Sequence, residues 1–443
     1  AERRLNAAVA ELRAASGLVV GASPATRKLD DAHNAAAFIR IAAAAAQRDG
    51  SEPDIGVGYD FDQVPLPPEA VKSLNRLIGA NGDALRAARE ARRVGAVWWG
   101  DSDDPGDPGD FRIGLSDLNR QMALARLLRH AALQAHASGD DGEAVERLRD
   151  LLFLASAIEQ ERNYQATLVS GIVIEIVAER LQTICPTLQI GSSNGAASPL
   201  QVRSLRDEVL SSQRLSEVLM EHEKARAVTA LDWIKLLPAR HAEGPPRWAA
   251  VLAAQVAGPF YSVQGVRYLR HSAAVLRALQ AKDLPSMQSH VPEEVGPPPP
   301  TGLFGADWAS DSFSPTNDLH TVVLVWKFPT LANLAAAQLA IHWYALEHDD
   351  RLPPTLAALV PRYLPAVPTD PFAPAGTPIG YMPMATRPFV YSVWESGRDA
   401  IATGRWKVPP NLSYTDMWRQ TNLVWFLGPP PSAPSTNPAP GGS

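Results

Sequence analysis

LSDLNRQMALARLLRHAALQAHASGDDGEAVERLRDLLFLASAIEQE, residues 115–161, decides the fold class. Apolar side chains recur at three- and four-residue steps through Leu115–Ala137, the period of one helix face. Gly139-Asp140-Asp141-Gly142 then breaks the pattern. A second helix is expected over Glu143–Glu161. A break of about four residues sets two helices antiparallel, so the stretch reads as an α-hairpin.

The same pattern extends both ways. Leu5, Val9 and Leu12 mark a helix over residues 1–16. Asn34–Gln47 is Ala-rich and helical, with Asn34 as its N-cap. Pro68 opens a helix whose stripe is Val71, Leu74, Leu77 and Ile78. Another, over 83–93, is expected to be capped by Asp83. Downstream, Gln165–Thr183 is helical and stopped by Pro186. Ser198 caps a helix that starts at Pro199 and runs to about 212. Leu215–Leu237, Arg247–Val256 and Ser262–Ala281 follow as helices. The chain turns Pro/Gly-rich between Pro292 and Pro315. Thr330–Glu347 is a last long helix with Leu331, Leu334, Leu339 and Ala345 inward. A short helix, Thr355–Val360, and two β-prone pieces, Thr377–Tyr381 and Phe389–Val393, come after it.

The expected fold is therefore mainly α, of helical hairpins or a bundle, with a small C-terminal α+β module of short antiparallel strands. The expected domains are a helical unit over 1–190, a second helical segment over 198–291 packing on it, and a Pro/Gly-rich linker over 292–329. The α+β module with a Trp-rich extension covers 330–428, and a Pro/Ser/Gly tail 429–443.

Composition excludes several functions. Of 443 residues, 46% are hydrophobic and 20% charged, enough to bury a core. Lys+Arg 41 against Asp+Glu 47 leaves a net charge of −6, with no basic block, which disfavours nucleic acid as a partner. Cys185 stands alone, so an intrachain disulfide and a thiolate metal cluster are impossible. Between Ile184 and Pro186 it reads as a small buried hydrophobe. No run of 18 apolar residues occurs. The chain starts at Ala1 without Met, which fits removal of a signal peptide or N-terminal anchor.

The most specific string runs from Tyr344 to Asp399. A helix ends in Tyr344-Ala-Leu-Glu347-His348-Asp349-Asp350-Arg-Leu-Pro353. Tyr363-Leu364-Pro365, Pro368-Thr-Asp370-Pro371-Phe372 and Tyr391-Ser392-Val393 follow. Pro365, Pro368 and Pro371 forbid helix continuation, and Asp370 suits a side-chain-bonded turn. This string resembles the soluble part of the major pseudopilins of type II secretion, where a long helix leads through such a turn to a small antiparallel sheet. Ala373-Pro374 replaces the Gly that usually follows the aromatic, and Glu395-Ser396-Gly397 replaces the usual Gly-rich turn, so the pseudopilin calcium ligands are not carried over. The whole chain is similar to a family of large bacterial envelope proteins that has no established activity. The matching segments are Glu11-Leu12-Arg13-Ala14, Asn34-Ala35-Ala36, Leu118–Leu128, Gly139–Arg149 and Asp370-Pro371. That resemblance implies an exported, periplasmic or envelope-associated protein, tethered to the membrane only through a removed or absent N-terminal anchor.

Candidate sites are few. Asp101, Asp103, Asp107 and Asp110 place carboxylates at short intervals among Gly and Pro, as calcium requires, but Arg112 stands where an EF-hand needs Glu. No other cofactor is implied. Glu221-His222-Glu223 follows Glu217 by one turn but is not His-Glu-x-x-His. His342, Glu347, His348, Asp349 and Asp350 gather at a helix end, where capping accounts for them. Glu175, in an apolar run, calls for a basic partner, Arg180 or Arg147. Neither Gly-x-Ser-x-Gly, a Walker loop nor a dinucleotide fingerprint occurs. The aromatics Trp98, Trp99, Trp394, Trp406, Trp418, Trp425 and Phe426 are candidates for a protein interface, against packing the module onto the helical body. The expectation is a non-enzymatic structural or interaction protein, a subunit of a larger assembly. The alternatives are a hydrolase using Glu175, His130 and Glu223, or a carbohydrate- or peptide-binding module with Trp98 and Trp99 parallel at a groove.

Overall fold

The structure, a computed structural model, describes residues 29–48, 65–100, 115–161, 164–211, 315–409 and 420–428 (the side chains of 47, 48, 115, 116, 164, 315–323, 325 and 395 excepted), with isolated positions between 6 and 14, at 217, between 270 and 286 and at 412. The protein is mainly helical, with one small antiparallel sheet near the C-terminus. The helices are α1 (Ala35–Arg48), α2 (Pro68–Ala80), α3 (Gly82–Val94), α4 (Leu115–Ala137), α5 (Asp141–Glu159), α6 (Tyr164–Ile184), α7 (Pro199–Ser211) and α8 (Pro315–Glu347). The strands are β1 (Gly380–Met382), β2 (Phe389–Ser392) and β3 (Leu423–Phe426). The segments 215–237, 247–256 and 429–443 lie outside the described residues.

Local chemistry explains the ends. Asn34 caps α1 by accepting from the Ala36 N–H at 3.1 Å. The same amide binds the Trp98 backbone twice, accepting from its N–H at 2.9 Å and donating to its carbonyl at 2.8 Å. Ser198 and Gln201 form a reciprocal capping box on α7, at 3.2 Å and 2.9 Å. Asp83 does not cap α3, which starts one residue earlier; it sits in the first turn and pairs with Arg86. The α4–α5 turn is shorter than expected. Gly139 adopts φ +78°, and the Asp140 N–H reaches back to the Ala135 carbonyl at 2.9 Å, ending α4. Asp140 then accepts from the Glu143 N–H at 2.9 Å, so Asp141 and Gly142 already belong to α5.

α4, α5 and α6 pack side by side, with α1 and α2 against α4, α3 against α1, and α7 against α5. α8 lies against α6 and α7 and carries β2 on its other side. The expectation of a linker reaching residue 329 is corrected here, because α8 begins at Pro315 and runs through Pro329. The Thr330 hydroxyl bonds the Trp326 carbonyl at 2.8 Å in that turn. The expected one-sided stripe is also corrected: every residue from Thr330 to Ile341 is buried. Six alanines in Leu331–Ala345 keep the helix thin enough for neighbours on all sides.

The sheet has the order β1-β2-β3, with Phe389 opposite Phe426 and Val390 opposite Trp425. β2 and β3 are buried along their whole length. Val390, Leu423 and Trp425 join the main core, while Phe389, Tyr391, Val424 and Phe426 form a second cluster under Ile401, Trp406, Val408 and Leu412. Strands covered on both faces lose apolar/polar alternation, which is why β3 was missed in the sequence.

Gly171 of α6 meets the Phe328 ring of α8; an added Cβ would lie 2.1 Å from Phe328 Cε2. In an open helix Gly→Ala stabilises by about 1 kcal/mol. Here Gly171→Ala is expected to destabilise by ~1–3 kcal/mol in denaturant unfolding, and a further Phe328→Leu change to recover part of that loss. A stabilised Gly171→Ala protein would refute this contact.

Candidate functional site

Asp370 is the tie-point of the C-terminal module. Its Oδ1 accepts from the Ser392 hydroxyl at 2.8 Å and the Phe372 N–H at 3.0 Å, and its Oδ2 from the Val393 N–H at 2.7 Å. Pro371 fixes the turn between these bonds. Burial pushes the Asp370 carboxyl above its ordinary value, against the pull of the three donors. At the C-terminal end of α8, the Glu347 carboxylate accepts from Trp343 Nε1 at 2.9 Å and the Tyr363 hydroxyl at 2.6 Å, and pairs with Arg362. Burial and Glu347 push the Tyr363 hydroxyl up to about 12. His342 donates to the Leu188 carbonyl at 2.7 Å. His348 donates to Tyr344 O and stacks on the Tyr344 ring at 3.8 Å. Asp349 and Asp350 take left-handed φ of 54° and 60°, ending α8.

A second polar centre links α3, α5 and α7. Asp150 is buried and accepts from Arg89 Nε (2.8 Å), Arg92 Nε (2.7 Å) and Arg147 Nη1 (3.4 Å). Glu143 pairs with Arg147 at 2.6 Å and Arg89 at 3.2 Å. Glu146 pairs with Arg92 and, at 3.0 Å, with Arg149, which reaches Glu208 at 2.7 Å. Burial works against the Arg89 charge, but Asp150 and Glu143 hold its guanidinium above the ordinary value. Each ion is paired, as burial demands. A cleft of about 330 Å³ adjoins this network at Arg92, Arg149, Phe153, Ile174 and Glu208. The network was not singled out in the sequence, although Arg89/Arg92 and Glu143/Glu146/Arg147/Asp150 have the three- and four-residue spacing of one helix face.

The predicted site residues separate. Glu175 pairs with Lys327 Nζ at 2.7 Å, correcting the expected Arg180 or Arg147. His130 is half-buried on α4, Glu223 lies outside the described residues, and so does Glu221-His222. Cys185 is fully buried. Asp101, Asp103, Asp107 and Asp110 lie outside the described residues, as does Trp418. Trp99 is buried and donates Nε1–H to the Ala157 carbonyl at 2.7 Å, which corrects the expectation of an exposed Trp98/Trp99 platform. Trp394, Trp425 and Phe426 are likewise interior, packing the module onto α8 and its own cover. Of the two readings of the sequence, a protein interface or packing of the module onto the helical body, these three follow the second, through apolar area buried within the chain.

Trp406 differs. It is half-buried and lines a cleft of about 290 Å³ with Met382, Arg387, Phe389, Ile401 and Val408. The Arg387 guanidinium sits 3.8 Å over the Phe426 ring and donates to the Gly428 carbonyl at 3.1 Å. Burial lowers it to about 10. Met384, at the tip of the β1–β2 connection, is 94% exposed. An apolar recess with an aromatic wall beside an exposed methionine suits large apolar side chains of a protein.

Two outcomes follow. Asp370→Ala leaves three donors without their acceptor and is expected to lower stability by ~1–3 kcal/mol in denaturant unfolding followed by Trp fluorescence; an unchanged midpoint would refute the tie-point. Burial, then the nearby Arg180 and Arg129 charges, lowers His130 from 6.5 to about 3. The unfolded chain then binds a proton that the folded one refuses, so stability falls by ~1.4 kcal/mol per unit as pH drops from about 6.5 towards 3. His130→Gln should flatten that slope in chemical denaturation across pH; an unaltered slope would refute it. Comparison with protein-family models, with curated proteins and with solved structures finds no match.

Proposed function

We propose that the protein is a structural or interaction subunit of a larger envelope-associated assembly, exported and without enzymatic turnover. The observation that carries this reading is the α8–Asp370–sheet unit. A long helix feeds a proline-fixed turn, and a three-stranded antiparallel sheet packs back on the helix. On this reading the unit presents its surface to a partner protein, in keeping with the resemblance of the Tyr344–Asp399 string to pseudopilins. The recess at Trp406 and the exposed Met384 supply an apolar contact on that unit. The helical body, with its ions paired internally, acts as a rigid base.

The test is mild-detergent extraction from native cells, then size exclusion with mass spectrometry of the co-eluting proteins. The protein is expected in a particle well above monomer size, and Met384→Asp and Trp406→Ala are expected to release it as a folded monomer. Elution of the unaltered protein as a lone monomer would overturn the reading.

A further inference from the structure

Outside the C-terminal module, a hydroxyl, an imidazole and a carboxylate stand in line where α4, α5 and the turn after α6 meet. His136, in the last turn of α4, has its Nδ1 2.5 Å from Asp141 Oδ1. Its Nε2 is 3.0 Å from Thr187 Oγ, in the turn Cys185–Thr187 that follows α6. The Asp141 carboxylate is held from behind, because Oδ2 accepts from the Gln189 N–H at 2.7 Å. Both His136 and Asp141 side chains are under one-tenth exposed, whereas Thr187 faces solvent.

Around a neutral imidazole this order sets the proton positions: the Asp141 carboxylate takes the Nδ1 hydrogen, and Nε2 is left as an acceptor. The Thr187 hydroxyl therefore donates to Nε2. Its other approach, to the Ile184 carbonyl at 3.4 Å, is longer. An imidazole so oriented is a base for the hydroxyl, and the buried carboxylate stabilises the imidazolium that results.

We propose that Thr187, His136 and Asp141 form a relay that makes Thr187 an acyl-acceptor site for small activated carboxylic esters, thioesters included. The Thr187 oxygen attacks the ester carbonyl carbon, and the Thr187 O–C bond forms as the bond to the leaving alkoxide or thiolate breaks. The hydroxyl proton passes to His136 Nε2 and then to the leaving group, giving a free alcohol or thiol and an acyl-threonine. No oxidant or reductant takes part. His136 touches the reacting oxygen; Asp141 is a positioning residue that acts through it.

The probe is p-nitrophenyl acetate, read by intact-mass and peptide mass spectrometry on the full chain. One acetyl group per chain is expected, mapped to Thr187. Thr187→Ser should react as fast or faster, and Thr187→Val, at an exposed position that leaves the fold intact, should carry none. His136→Gln is expected to slow acetylation ~100-fold or more. Asp141→Asn should slow it too, with imidazole nitrogen NMR shifts reporting the hydrogen moved to Nε2, a change that structural loosening alone does not produce. Acetyl groups spread over lysines with none on Thr187, or a Thr187→Val chain labelled like the unaltered one, would overturn the proposal.

Discussion

Between Thr330 and Ile341 α8 has no solvent side, and this burial organises everything around it. Such a helix gains from every face, since each fully buried large apolar side chain is worth roughly 1.5–3 kcal/mol. The cost is that its polar groups must be satisfied from neighbours. Asn333 donates to the Thr369 carbonyl, Gln338 to that of Phe426, and His342 to that of Leu188. These three bonds dock the Asp370 turn, strand β3 and the end of α6 to one rod. The alanines make the approach close enough for those bonds, and Gly171 extends the same logic to α6, where the Phe328 ring occupies the space a side chain would take.

Two of the buried aspartates, Asp150 and Asp370, illustrate different answers to one constraint. Asp150 lies among guanidiniums, and its partners come from α3 as well as from its own helix, so the pairings cross-link helix to helix. Among the described residues Asp370 meets no cation; its acceptors are filled by backbone N–H groups and one hydroxyl within its own module. Charge serves assembly of the helical body, and dipoles serve the shape of a turn. Neither carboxylate is left with an open side for a ligand.

Much of the fold was legible because its signals are local. The α4 limits follow from a single period, and Asn34 and Ser198 announce their caps through side chains that reach two or three residues ahead. What was illegible depends on partners distant in the chain. Pro329 reads as a helix stop, yet packing on all sides of the following turns carries the helix through it. Leu423–Phe426 lacks alternation because Trp406 and Ile401 cover its second face. Glu175 calls for a cation, but nothing local singles out Lys327, 152 residues on. The tryptophans show the limit for function: ring content gave candidates, and only burial separated interior Trp394 and Trp425 from Trp406.

The position of α8 in the chain also governs how the protein comes into being. α4 to α7 pair with near neighbours, but the groove they leave is filled by a helix that bonds Glu175 and Leu188 from more than 150 residues downstream. At a ribosomal rate of about 5–20 residues per second, the groove stays open for on the order of ten seconds or more before its occupant emerges. Through that interval the nascent chain presents an apolar slot shaped for an alanine-rich helix. A slot of that shape also admits other apolar helices, and the order of synthesis sets how long it is exposed.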